Sequence, residues 1–240
     1  MALDIFHAAS PDLHVRYASF QGLPYVTVQG YGCRQIWSSG YATPYARMKS
    51  DRLSPAYAAS LYSLTALQHW IDHIGLSFDH VIRQWNYIGG ILNVATMEKD
   101  GRTYQNYQEF NSAREVFYRE HKQDNLYPAA TGIGCDDPGI IVEAVLFETA
   151  DGHRPIALKS PVQAEAFNYT DRVLVGDRSK TPPLFSRARL QACTADGTAC
   201  HGPTRGQCAP TCWVSGTASI IGEKTLDPTR PEKQIENTID

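Results

Sequence analysis

Apolar residues recur every third or fourth position through SPAYAASLYSLTALQHWIDHIG, where Leu61, Leu64, Leu67, Ile71 and Ile74 fall on one stripe. Ser54 stands at the N-cap position, Pro55 at the first helical position and Gly75 just past the stripe, so the pattern predicts a well-bounded helix. A second stripe runs through TYQNYQEFNSAREVFYREH, with Tyr107, Phe110, Arg114 and Phe117 on one face. Around these helices the pattern turns to β. LPYVTVQGYGCRQI reads as a hairpin turning near Gly30 and Gly32, HVIRQWNYIGGILNV as a strand between the helices, and YPAATGIGC and GIIVEAVLFET as two strands after them. The order β-β-α-β-α-β-β predicts an α+β domain over residues 1–153, with helices layered on a mixed sheet.

After His153 the pattern restarts more raggedly. PIALKSPVQAEAF is partly strand-like, GDRSKTPPLF is a loop, FSRARLQAC and CWVSGTASII are strands, and EKTLDPTRPEKQIENTID begins a short helix at its end. The return of hairpin character near Phe185 suggests that residues 154–240 form a partial second copy of the first architecture, interrupted by a cysteine-rich insertion over 193–212.

One charge interrupts this pattern. Arg114 lies between Phe110 and Phe117 on a face that should turn inward, and a guanidinium aimed at a core is costly unless something carboxylate-like meets it. Taken alone, such an arginine can also snorkel to solvent along the apolar surface, and Tyr107 can be a core aromatic with a satisfied hydroxyl.

Composition narrows the function classes. The chain has 240 residues, 42% of them hydrophobic, enough for an ordinary core. A formal charge of -3 shows no basic excess, so neither nucleic acid nor an anionic membrane is an expected partner. No stretch approaches the roughly eighteen consecutive apolar residues of a membrane-crossing helix, and the opening MALDIFHAASPDLHVRYASF has no charged segment followed by an apolar one, so a cytoplasmic location is expected. Cys193, Cys200, Cys208 and Cys212 crowd one Gly/Pro/Thr-rich run with His201, at separations of six, seven and three residues that do not match paired zinc knuckles. Zinc, disulfides and unpaired thiols stay open for them. His69 and His73 lack the acidic context of a metal site, and the sequon at Asn168 carries little weight without a secretory signal.

Five phrases, RQWNYIGGI, NYQEFNSAR, YPAATGIGCDD, FSRA and VSGTASIIGE, occur in an order that resembles the chorismatase family, over residues 80 to 225. These are chorismate-hydrolysing enzymes of polyketide starter-unit and hydroxybenzoate biosynthesis. The resemblance implies a YjgF/RidA-like (chorismate-mutase-like) mixed sheet with helices on one face, followed by an incomplete second unit of the same kind. It also implies cleavage of the enolpyruvyl ether of chorismate to pyruvate and a cyclic carboxylic acid, either a dihydroxycyclohexadiene carboxylate or a hydroxybenzoate.

The resemblance supplies the missing carboxylate. Chorismate carries two, Arg114 falls on the substrate-binding arginine of the family's Tyr-x-x-Phe-x-x-x-Arg helix, and Tyr107 is the matching tyrosine. Arg187 is the second candidate anchor, and Cys135 and Ala218 fall in segments that line the family's pocket. Hydrolysis of an enol ether begins with protonation of its terminal carbon, and Glu223, after the SGTASIIG strand, is the expected catalytic acid. The family places its glutamate near here, in many members two residues after the glycine, where this chain has Lys224. No metal or cofactor is expected. The relatives' chains extend beyond the point matched by Asp240, so an open sheet edge and a homo-oligomer are expected, with the trimer common among YjgF-like proteins. Two other readings stand beside hydrolysis: a member with altered chemistry acting on or binding another small carboxylate, and imine deamination of the RidA kind.

Overall fold

The structure, a computed structural model, describes residues 13–50, 52–97, 101–122, 127–170, 180–191, 210–216 and 218–239. The first strands are β1 (His14–Phe20), β2 (Leu23–Gly30), β3 (Cys33–Ser38) and β4 (Tyr41–Pro44). Then follow α1 (Pro55–His73), β5 (Val81–Gly89), β6 (Val94–Thr96), β7 (Thr103–Gln105), α2 (Asn106–His121), β8 (Ala129–Cys135) and β9 (Gly139–Thr149). The remainder holds β10 (Ile156–Leu158), β11 (Ala188–Gln191), β12 (Thr211–Val214), β13 (Ile220–Ile221), β14 (Lys224–Thr225) and α3 (Pro231–Ile239).

Seven strands form the main sheet in the order β1-β2-β3-β9-β5-β8, with β4 also on β9. Every pairing is antiparallel except β5 with β8, whose parallel register requires a crossover. The segment containing α2 supplies it. The expected β-β-α-β-α-β-β order is therefore present, with β1 as an added edge strand and the long strand expected after His80 ending at Gly89 before a separate β6–β7 hairpin.

Both helices lie on one face. Ser54 caps α1 by accepting the Tyr57 N–H at 3.1 Å, and Gly75 adopts φ +75° past its end, a conformation that costs glycine little. Leu64, Leu67, Trp70 and Ile71 of α1 and Phe110 and Phe117 of α2 are fully buried against Ile88, Ile140, Val142 and Leu146 of the sheet. Each of those aliphatic side chains contributes about 1.5–3 kcal/mol of transfer free energy. The other face carries a smaller cluster of Ile82, Val145 and Phe147, on which Trp37, Trp85 and Trp213 pack.

The chain after His153 docks on this sheet. The three-stranded sheet β10-β11-β12 carries Trp213 onto the Trp37 and Trp85 rings, and Ser186 forms a parallel bridge with Ala129 at the outer edge of β8. Residues 192–209, which include Cys193, Cys200, His201 and Cys208, lie outside the described residues, while Cys212 is exposed on β12. His69 and His73 are both exposed on α1, and His73 stacks on Phe20 at 4.5 Å.

Candidate active site

Residues 106–114 begin α2 beside the C-terminal half of β8, and the pattern of that helix forces Arg114 inward. Arg114 is 2% exposed, with its guanidinium carbon 5.1 Å from the Phe110 ring. Its Nη2 donates to Asn111 Oδ1 at 2.8 Å. Its Nε and the Asn111 Nδ2 are both buried with no hydrogen-bond partner. No described carboxylate forms an ion pair with Arg114. The other buried charges near these helices are matched: Glu109 with Arg102 at 2.9 Å and with the Ser54 hydroxyl, and Asp79 with Lys122 at 3.0 Å. Two neighbouring donors left over beside an uncompensated charge suit an anionic oxygen, since leaving each unmet costs about 1–3 kcal/mol.

Tyrosines surround the guanidinium. Tyr107, Tyr118 and Tyr127 all lie close enough to feel the Arg114 charge. Burial nevertheless pushes the Tyr107 phenol up, against the opposing pulls of Arg114 and the Asn111 amide, so it stays a neutral hydroxyl. The Tyr107 ring rests on Gly132 of β8, where a Cβ would stand 3.0 Å from its Cε2. Tyr118 donates to Gln84 Oε1 at 3.1 Å and stacks on Tyr127, with ring centroids 5.6 Å apart.

Residues 163–170 carry the second half of the cluster. Phe167 packs on Tyr127 at 5.3 Å, and the Tyr169 hydroxyl accepts from Arg187 Nη2 at 2.6 Å. Arg187, 8% exposed, also donates its Nε to the Ala164 carbonyl at 3.2 Å. Tyr169 in turn lies near enough to Tyr107 to raise it electrostatically. Of the two expected anchors, Arg187 is hydrogen-bonded to Tyr169, and Arg114 lies near Tyr107. Beside Arg187 opens a cavity of about 250 Å³ whose lining includes Lys159, Gln163, Ser215 and Gly216 and no acidic residue.

The remaining expected residues are placed differently. Glu223 sits in the β13–β14 turn, where its two carboxylate oxygens accept from the Thr170 N–H at 2.8 Å and the Thr170 hydroxyl at 2.7 Å. Ala218 is exposed, and its carbonyl accepts from Gln163 Nε2 at 3.3 Å. Both therefore meet residues 163–170 rather than α2. Cys135 ends β8, and burial with the nearby Asp137 pushes its thiol up, the state of a weak nucleophile.

Sequence reasoning missed Asn111, Tyr169 and Arg83. Asn111 was legible as the residue one turn before Arg114; Tyr169 was not, because only the chain's return brings it near. Arg83 lies on the opposite sheet face, its guanidinium carbon 4.6 Å from the Trp85 ring and its Nη2 donating to Thr131 Oγ1. Its Nη1 has no partner, and burial lowers it to about 10. A β-bulge between Val81 and Arg83 sets its facing, a feature that alternation of residue types does not reveal.

The fold resembles that of known proteins. Residues 37–146 match the family model described as chorismatase FkbO/Hyg5-like, N-terminal. A chorismatase crystal structure at 1.08 Å resolution superposes with a TM-score of 0.63 at 23% identity, covering 94% of this chain and 56% of that one. The chain thus spans a little over half the length of that chorismatase. The YjgF gene product from E. coli matches with a TM-score of 0.34 at 19% identity, over 47% of this chain and 79% of that one. No curated protein sequence matches. Residues 37–146 are thus similar to a chorismatase FkbO/Hyg5-like N-terminal domain, and the described chain has a fold like that of the chorismatase structure.

Proposed function

We propose that the cluster around Arg114 and Arg187 binds chorismate and cleaves its enolpyruvyl ether, releasing pyruvate and a cyclic carboxylic acid. The observation that carries this reading is the pair of partnerless buried donors, Arg114 Nε and Asn111 Nδ2. A ligand carboxylate accepting from both would complete the hydrogen bonding of α2 and neutralise its guanidinium. The neutral Tyr107 hydroxyl adds a donor beside them, and Arg187, backed by Tyr169, serves the second carboxylate. Holding both ends of the substrate fixes the ether between them and removes much of the entropic part of the barrier. Protonation of the terminal enol carbon then gives an oxocarbenium-like species, which water captures as a hemiketal that collapses to pyruvate.

A second reading, carboxylate binding without cleavage, draws support from Glu223. Its two hydrogen bonds from Thr170 are of the kind that favour a carboxylate over a carboxylic acid, which suits a tether better than a proton donor. In either case residues 154–240 act as a partial second unit that closes the site from the β8 side, and a homo-oligomer covering the remaining open edge belongs to the same proposal. Incubation with chorismate, with pyruvate followed through lactate dehydrogenase, separates the two readings. Release of pyruvate in step with chorismate loss is expected; saturable chorismate binding with no pyruvate would leave only the second reading, and no binding at all would remove both.

A further inference from the structure

Enol-ether cleavage needs a carboxylic acid that can give up its proton, and the buried carboxylates described above are occupied. Glu109 and Asp79 are ion-paired, and Glu223 is hydrogen-bonded twice to Thr170. Glu165 differs from all three. Its Oε1 is buried with no hydrogen-bond partner, and no described cation pairs with it. Burying a carboxyl oxygen with nothing to bond is costly, so the position is poor for stability and needs a reason.

Its place in the fold offers one. Glu165 directly follows Ala164, whose carbonyl accepts from Arg187, and it precedes the turn Ala166–Asn168 that delivers Phe167 onto Tyr127 and Tyr169 onto Arg187. Its own carbonyl accepts from the Asn168 N–H at 2.9 Å, which closes that turn and fixes the backbone from which the side chain departs. Asp79 Oδ2 is also buried without a hydrogen bond, but Asp79 is ion-paired with Lys122 and Arg154, whereas Glu165 pairs with no described cation and is carried by the short segment that holds Arg187 through Ala164 and Tyr169. We propose that Glu165, not Glu223, is the proton donor of the site.

The inference rests on the chorismatase-type reading and adds its missing acid. In the step, the Glu165 carboxylic proton is transferred to the terminal methylene of the enolpyruvyl group, and a C–H bond forms as the C=C π bond is consumed. The resulting oxocarbenium carbon takes a water oxygen and one of the water's protons returns to the carboxylate. As the hemiketal collapses, the bond from that carbon to the ether oxygen breaks, the hemiketal hydroxyl gives up its proton to become the ketone of pyruvate, and the ether oxygen stays on the ring and takes that proton as a hydroxyl. Atoms balance with one water consumed, and no oxidant or reductant takes part. Glu223 is left as a positioning residue that holds Thr170, and so the end of the same segment.

The test compares Glu165→Gln, Glu165→Asp and Glu223→Gln in the full chain, by pyruvate release, by chorismate affinity in calorimetry and by thermal melting. A proton-transfer role predicts that Glu165→Gln lowers kcat by roughly 100-fold or more and leaves affinity within about threefold. Glu165→Asp recovers part of the rate. The melting temperature of Glu165→Gln is unchanged or higher, because an amide in place of an unmatched buried carboxyl removes a cost, which a merely structural residue would not do. Retention of the wild-type rate in Glu165→Gln overturns the inference, as does a loss confined to affinity or stability. A wild-type chain that binds chorismate but releases no pyruvate overturns the cleavage reading itself, whatever the variants do.

Discussion

Asn111 and Arg114 stand one turn apart on α2, joined by a 2.8 Å hydrogen bond that uses the amide oxygen and leaves the amide nitrogen and the guanidinium Nε without partners. A structural pair inside a core would normally spend its donors on the protein. This pair makes one bond within itself and leaves two donors unmet, the feature on which the proposed carboxylate site rests.

Replacing Arg114 with Met is expected to weaken chorismate binding by about 2–5 kcal/mol, since it removes a charge-assisted contact, while leaving the melting temperature unchanged or higher. Calorimetry and thermal denaturation read both quantities from the same sample. Arg114→Lys keeps the charge but loses the forked geometry and should recover only part of the affinity. A stability loss of several kcal/mol in Arg114→Met with unchanged binding would make Arg114 a structural residue.

Thr170 and Glu223 form a latch rather than a salt bridge, so its loss should be felt locally. Thr170→Val removes the hydroxyl bond, keeps the backbone N–H, and is expected to cost about 1 kcal/mol. Amide hydrogen exchange should rise over residues 163–170 and stay unchanged in α1. Thr170→Ser restores protection. Uniform exchange across the chain in Thr170→Val would dispose of the latch.

Gly132 makes room for Tyr107. A Cβ there would lie 3.0 Å from the ring, tighter than an ordinary contact, so Gly132→Ala should displace the ring by a few tenths of an ångström and cost about 1 kcal/mol of stability. Binding of chorismate should weaken along with it, while Gly22→Ala, at a turn with open space around its Cβ, leaves binding untouched. Equal affinities for Gly132→Ala and the wild type would separate Tyr107 from the ligand.

The buried phenols give the fold an alkaline limit. Burial raises Tyr41, Tyr45, Tyr107 and Tyr118 above the ordinary tyrosine value near 10, so the folded state holds their protons more tightly than the unfolded chain does. Their contribution to stability is complete below about pH 10 and is lost as pH rises from there toward the folded values. Absorbance of phenolate should therefore show Tyr41, Tyr45, Tyr107 and Tyr118 ionising only together with unfolding. Simple titration of every tyrosine near pH 10 in a chain that stays folded would contradict this.

The layered α+β domain was legible because its signals are local. The α1 stripe with Ser54 and Gly75, the alternating run of β9 and the inward Arg114 each follow from residues a few positions apart. The family phrases led to the expectation of a carboxylate ligand without any tertiary knowledge of where Arg187 lay. The edge strand β1 went unread because six of its seven residues are exposed, so no alternation marks it. Glu223 was read as an acid from the family resemblance and its place after the SGTASIIG strand, and nothing in the chain signals that Thr170, 53 residues away, takes both of its oxygens.

By itself, then, the sequence determined the helices, the succession of strands and helices along the first domain and the presence of one guanidinium facing inward, because periodicity and capping act within a few residues. Only the tertiary structure decided what that guanidinium meets, which carboxyl groups are occupied and which one is left over. Those outcomes depend on residues far apart in the chain reaching, or failing to reach, hydrogen-bond distance of each other.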